Sequence, residues 1–142
     1  MNKRTDKYDG SPENCVRLIK EIVAGIKGKC GDFIIIAKLN AHNTLSTDDD
    51  YKLLDFYCNA LSDTGVSLFE ISGRDFDKQP KEASLYYLDA GKYLKEKSPN
   101  LAHSIVGSIY CVEGIEKALE TTDYVSMSRA LLTQPELITL IV

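Results

Sequence analysis

Phe33-Ile34-Ile35-Ile36-Ala37-Lys38-Leu39 is a short apolar run, rich in β-branched residues and broken only by a lysine near its end. A run of this length and type suits a strand buried on both faces, as in a parallel sheet. Ahead of it, Ser11 is placed to cap a helix with Pro12 at its first position, and Val16, Ile19, Ile22, Val23 and Ile26 follow at helical spacing. Gly28 and Gly31 close that segment. After the run the unit repeats. Thr47 is placed to cap a helix carrying Leu53, Leu54, Tyr57, Ala60 and Leu61, and Gly65 turns the chain into a second strand over 66–72. A third helix over 85–97 stops at Ser98-Pro99, because the residue before proline disfavours the helical region. Strands over 102–107 and 124–127 flank a helix over 112–119, and Arg129 opens the last helical stretch.

The pattern is a helix followed by four βα units. Parallel strands need crossovers of helical length, and such crossovers are nearly always right-handed. The fold class is therefore α/β. Periodicity alone leaves open whether the sheet is doubly wound or part of a barrel. With no low-complexity segment or break in composition, residues 1–142 read as a single domain.

Net charge is −4 with no Lys/Arg cluster, which argues against nucleic acid as a partner. The amino terminus is charged with no apolar stretch behind it, and the longest apolar run is too short to span a bilayer. These features point to a cytoplasmic chain with no membrane partner. Cys15, Cys30, Cys58 and Cys111 form no C-x-x-C pair, and His42 and His103 add no zinc spacing. The expectation is four reduced, mostly buried thiols and no metal site. Asp48, Asp49 and Asp50 are better explained as complements to a helix N-terminus than as a metal cluster, since adjacent helical positions point apart.

In α/β proteins the working residues sit at the carboxyl ends of strands. Lys38 meets that criterion and lies in phase with Ile34 and Ile36. Such a lysine must find an anion or water. Two readings stand together: an ion pair with Glu70 of the next strand, and a place beside an electron-rich ligand. The next two strands end in Val106-Gly107-Ser108 and Ser126-Met127-Ser128-Arg129. Small residues before a helix, with an arginine, make a plausible phosphate cradle. The alternative is a pair of ordinary turns and caps. The polar stretch Asn2-Lys3-Arg4-Thr5-Asp6-Lys7-Tyr8-Asp9-Gly10-Ser11-Pro12-Glu13-Asn14 is harder to explain by fold alone.

That stretch resembles the N-x-R-T-D-x-Y-G-G-S-x-E-N-R segment of the old yellow enzyme, or NADH:flavin oxidoreductase, family. Three further segments match in order. The run ending in Lys38-Leu39-Asn40 is similar to the family's fifth strand, whose basic residue approaches the pyrimidine side of the flavin. Gly107-Ser108 falls where the family has Gly-Gly, and Ser126-Met127-Ser128-Arg129-Ala130-Leu131-Leu132-Thr133-Gln134-Pro135-Glu136-Leu137 resembles G-x-G-R-P-L-L-x-D-P-x-L. The resemblance implies a partial (β/α)8 TIM barrel: strands five to eight, parallel, in sequential order, with helices on one face only. It implies FMN as cofactor, NAD(P)H as reductant and a small activated alkene or similar acceptor. Lys38 would stand near the flavin N1/O2 region, and Gly107, Ser108, Ser128 and Arg129 would hold the FMN phosphate.

The departures are Asp9 for a glycine, Pro12 for a leucine, Cys15 for an arginine, and Ser108, Ser126 and Ser128 at glycine positions. Each serine adds a Cβ where glycine leaves room for a ligand. The family's first four strands, with the His/His or His/Asn pair that binds the acceptor and the tyrosine proton donor, have no counterpart in these 142 residues. No catalytic residue is carried over. The chain is expected to be inactive alone, and either to self-associate or to pair with a complementary half-barrel.

Overall fold

The computed structural model describes residues 4–41, 48–73 and 85–140. The expected cap Thr47, together with His42, Asn2 and Lys3, lies outside them. Helix α1 (Pro12–Cys30) begins as the sequence predicts: Ser11 is extended, and its Oγ accepts from Asn14 N at 3.3 Å. It runs through Gly28 and ends at Gly31, whose φ of 62° is readily available only to a residue without Cβ. Of its apolar stripe only Val16 and Val23 are buried, while Ile19 and Ile22 join Leu18 on the exposed side.

Strands β1 (Ile36–Asn40), β2 (Leu68–Ser72), β3 (His103–Val106) and β4 (Tyr124–Ser126) form one sheet in the order β1-β2-β3-β4, every neighbouring pair parallel. Helices α2 (Asp48–Ser62), α3 (Leu88–Lys97) and α4 (Val112–Leu119) make the crossovers. Helix α5 (Arg129–Thr133) and a 3-10 helix (Pro135–Leu140) follow β4. This is the sequential α/β architecture of four βα units.

Two boundaries differ from expectation. Strand β1 starts at Ile36 rather than at 33: its pairing with β2 begins at Ile36 beside Leu68, and just ahead of it the Ile35 carbonyl accepts from Ser67 N at 2.8 Å. Helix α3 starts at Leu88 rather than at 85, because Leu85 sits buried at φ 62°, outside the helical region. A turn closed by Leu88 N donating to Leu85 O leads into the helix.

Strand alternation assigns the two faces. Phe69, Ile71, His103 and Ile105 are buried beneath the helices, packed among Leu54, Leu61, Ala90, Leu94 and Ala118. Fully burying a Leu, Ile or Phe contributes about 1.5–3 kcal/mol. On the other face Ile36, Lys38 and Asn40 are exposed, and register sets Lys38 beside Glu70 and Glu70 beside Ser104. The helices therefore cover one face of the sheet and leave the other open.

The cysteines correct the sequence reading. Only Cys58 is buried, with its thiol pushed up to about 12 by burial. Cys15 and Cys30 lie on exposed parts of α1, and Cys111 is the N-cap of α4. Such positions face solvent whatever the side chain's apolarity. Among the described residues no helix is long and apolar enough to cross a membrane, and no group of His, Cys, Asp and Glu is arranged to hold a metal ion.

Candidate functional site

The open face carries a polar chain rather than an apolar filling. Lys38 Nζ lies 2.5 Å from Glu70 Oε1. Ser126, two strands further on, hydrogen-bonds the Glu70 carboxylate and lies 3.0 Å from the Ser104 hydroxyl. Partial burial opposes ionisation of Glu70, but the hydrogen bonds from Lys38 and Ser126 outweigh it and hold the carboxyl below its ordinary range. Lys38 is 60% exposed, so its charge stays in contact with water.

At the carboxyl ends of the strands this face opens into a cleft of about 270 Å³, lined by Lys38, Ser72, Gly73, Tyr86, Tyr87, Val106, Gly107 and Arg129. A smaller recess of about 60 Å³ adjoins the last two strand ends. Its lining includes Gly107, Ser108, Ser128 and Arg129. The fold thus brings Lys38, Gly107 and Arg129 into one cleft from three different strand ends, and Ser108 and Ser128 into the recess that shares Gly107 and Arg129 with it. A separate groove of about 260 Å³ between α1 and α2, lined by Val16, Ile19, Leu54 and Tyr57 among others, is mainly apolar and holds none of these residues.

Backbone shape in the recess is distinctive. Gly107 has φ 127° and Ser108 has φ 57°. The serine at the second glycine position therefore keeps the left-handed conformation that favours glycine, instead of straightening the loop. A Cβ at Gly107 would come within 3.2 Å of the Tyr87 ring and 3.4 Å of the Tyr86 ring. Those rings meet edge to face at 6.4 Å and wall the cleft. The helix argument is weaker than the sequence suggests. Residues 109–111 separate Ser108 from α4, and α5 is a short helix whose N-cap, Ser128, makes no side-chain capping bond.

The polar stretch near the amino terminus has a structural role. Tyr8 donates to Glu21 at 2.9 Å and Lys7 reaches the same carboxylate at 3.3 Å. Arg17 donates to Lys7 O and to Asn14 Oδ1, and Asn14 donates to Asp9 O. Arg4 pairs with Asp6. From Lys7 onward the stretch is clipped onto α1, and none of its described residues lines the cleft. Sequence reasoning missed Tyr86 and Tyr87; an aromatic pair just after a strand-end loop was the available signal.

No family model matches the chain. The NADH-dependent flavin oxidoreductase iliE of Neonectria sp. is 25% identical to it, the match covering 94% of this chain and 20% of the relative. The enzyme of the same name from Hypocrea jecorina is 26% identical, covering 83% and 33%, and the NADH-dependent flavin oxidoreductase nadA of Aspergillus parasiticus is 26% identical, covering 96% and 33%. Among solved structures, morphinone reductase in complex with tetrahydroNAD superposes with a TM-score of 0.71 at 20% identity, over 99% of this chain and 37% of that one. The chain spans a third or less of the length of these curated relatives. Its four parallel strands have the fold of part of a TIM-barrel enzyme, and in sequence it is similar, over part of their length, to NADH-dependent flavin oxidoreductases, in line with the old yellow enzyme motifs it resembles.

Proposed function

We propose that residues 1–142 form one domain, the carboxy-terminal half of an FMN-binding barrel of ene-reductase type, working in the cytoplasm. The observation that carries this reading is the convergence of Lys38, Gly107 and Arg129 on one cleft. The residues fit the cofactor. A lysine stands on the first strand of the cleft, a guanidinium on the last strand end, and between them lies a glycine whose Cβ would fill the space beside Tyr86 and Tyr87. When bound, FMN would take hydride from NAD(P)H and pass it to an activated alkene or similar small acceptor. Lys38 would stabilise negative charge at the N1/O2 side, since a fixed cation helps where charge develops. Arg129 and the backbone around Gly107, Ser108 and Ser128 would hold the phosphate, with the arginine supplying a planar fork of donors. The two tyrosine rings would exclude water from one wall.

On this reading the family's acceptor-binding histidine pair and tyrosine proton donor belong to the other half of the barrel, so the 142 residues alone are expected to bind FMN weakly and not to turn over an enone. Loss of a few hydrogen bonds at about 1 kcal/mol each weakens binding by orders of magnitude. A second reading, a non-catalytic half-barrel, is favoured by the Lys38–Glu70 pair, which already neutralises the lysine that lines the cleft among the described residues. Titration of FMN into the purified chain, followed by flavin fluorescence, separates the two. Saturable quenching that weakens at least tenfold in both Lys38→Ala and Arg129→Ala supports the FMN site. A flat titration, or binding indifferent to both substitutions, supports the non-catalytic reading.

A further inference from the structure

Resting on the flavin reading above, we infer that Tyr87 is a positioning residue: its ring, wedged between the ends of β2 and β3, holds Gly107 and Ser108 in the shape that receives a phosphate. Tyr87 stands at the N-cap of α3 and is 4% exposed. Two glycines make room for it from opposite sides. A Cβ at Gly73, the residue after β2, would fall 2.5 Å from Tyr87 Cε1 and 2.6 Å from Cζ. One at Gly107, the residue after β3, would fall 3.2 Å from Cε2 and 3.5 Å from Cδ2. These atoms belong to opposite edges of one ring. Gly73 has no left-handed backbone, so the ring rather than the main chain excludes a side chain there.

Among the described residues, Leu85 and Ser108 are the non-glycine positions with positive φ, at 62° and 57°. Both flank this contact. The turn at Leu85 delivers Tyr86 and Tyr87 to the start of α3, and Ser108 follows Gly107. Unfavoured backbone of this kind persists only where the surroundings over-determine it, and it gathers at ligand sites. Gly107 cannot hold itself at φ 127°, since glycine is the most permissive residue. The buried Tyr87 ring, met edge to face by Tyr86, gives the loop a fixed wall. Tyr87 lines the larger cleft but not the recess that holds Ser108 and Ser128. It therefore acts on a phosphate through Gly107 rather than by touching it.

FMN and riboflavin differ only in the phosphate, so the ratio of their dissociation constants for the purified chain reads the phosphate contacts alone. Losing one hydrogen bond to a charged group changes that ratio about tenfold. Tyr87→Leu should lose about tenfold of the parent's preference for FMN, while Tyr87→Phe, which keeps the ring, should retain it. Loss of packing alone weakens both flavins together and leaves the ratio unmoved. Gly73→Ala, which displaces the ring without changing it, should act like Tyr87→Leu and carries the test if the leucine variant does not fold. Hydrogen exchange without ligand should quicken at the amides of 107–109 in Tyr87→Leu and not in Tyr87→Phe. A parent that binds FMN no better than riboflavin overturns the flavin reading, and the role of Tyr87 with it. A preference that survives in Tyr87→Leu and Gly73→Ala, or unchanged exchange at 107–109, overturns the role of Tyr87 alone.

Discussion

Lys38 and Glu70 are direct register partners on adjacent parallel strands, and their side chains meet at 2.5 Å on the open face of the sheet. The pair fixes where the cleft's lysine points and how much of its charge a ligand can feel. It also links β1 to β4, because Ser126 hydrogen-bonds the same carboxylate.

Glu70→Gln separates electrostatics from folding. The side chains of the pair are 60% and 25% exposed, so solvent screening limits its stability contribution to about 1 kcal/mol or less. The Glu70 carboxyl is held below its ordinary 4.5. A depressed carboxylate contributes stability that is present above the unfolded value and lost as pH falls through the folded one. Urea midpoints of the parent should therefore decline below pH 4.5 more steeply than those of Glu70→Gln, with little difference at neutral pH. Freed from its partner, Lys38 should bind anions more tightly, read as a lower FMN dissociation constant.

His103 is a second test, remote from the cleft. It is fully buried, and its ring nitrogens approach the carbonyl oxygens of Leu101 at 3.0 Å, Gly91 at 3.1 Å and Thr121 at 3.2 Å. Asp123 lies 3.5 Å away and also ties β3 to Lys95 of α3. The ring thus lies among acceptors from α3, the entry to β3 and the turn before β4, and its tautomer sets whether Leu101 O, or Gly91 O and Thr121 O, receives the N–H. His103→Leu keeps the bulk but leaves buried acceptors short of donors, at a cost of about 1–3 kcal/mol. Urea denaturation should show the lower midpoint with an unchanged slope.

Gly107 and Ser108 should respond in opposite directions. Gly107→Ala forces an alanine to φ 127° and presses a Cβ toward the two tyrosine rings, so it should destabilise by about 1–3 kcal/mol. Ser108→Gly relieves a left-handed serine, which costs about 1–2 kcal/mol, while adding freedom to the unfolded chain worth about 0.4–1 kcal/mol. The expected outcome is a neutral to slightly stabilised protein. Thermal unfolding of the two variants beside the parent checks the pair, and a destabilised Ser108→Gly would count against the left-handed turn.

Much of the fold was legible in the residues. The apolar run before Lys38, the helical spacing from Val16 to Ile26 and the Ser11-Pro12 start follow from local periodicity and capping, which need no tertiary partner. Because side chains alternate along a strand, the phase of Lys38 with Ile36 placed both on one face, and Glu70 on the neighbouring strand was its natural partner. Tertiary structure decided what local pattern leaves free. Strand β1 begins at Ile36 because a strand extends only as far as its neighbour pairs with it. Leu85 takes a left-handed turn because its side chain enters the core before α3 can start. The cleft shared by Lys38 and Arg129 and the carbonyl cage around His103 bring together residues far apart in the chain. Such contacts depend on how the crossovers stack the strands, and that is set by packing of the whole sheet against its helices rather than by any one segment.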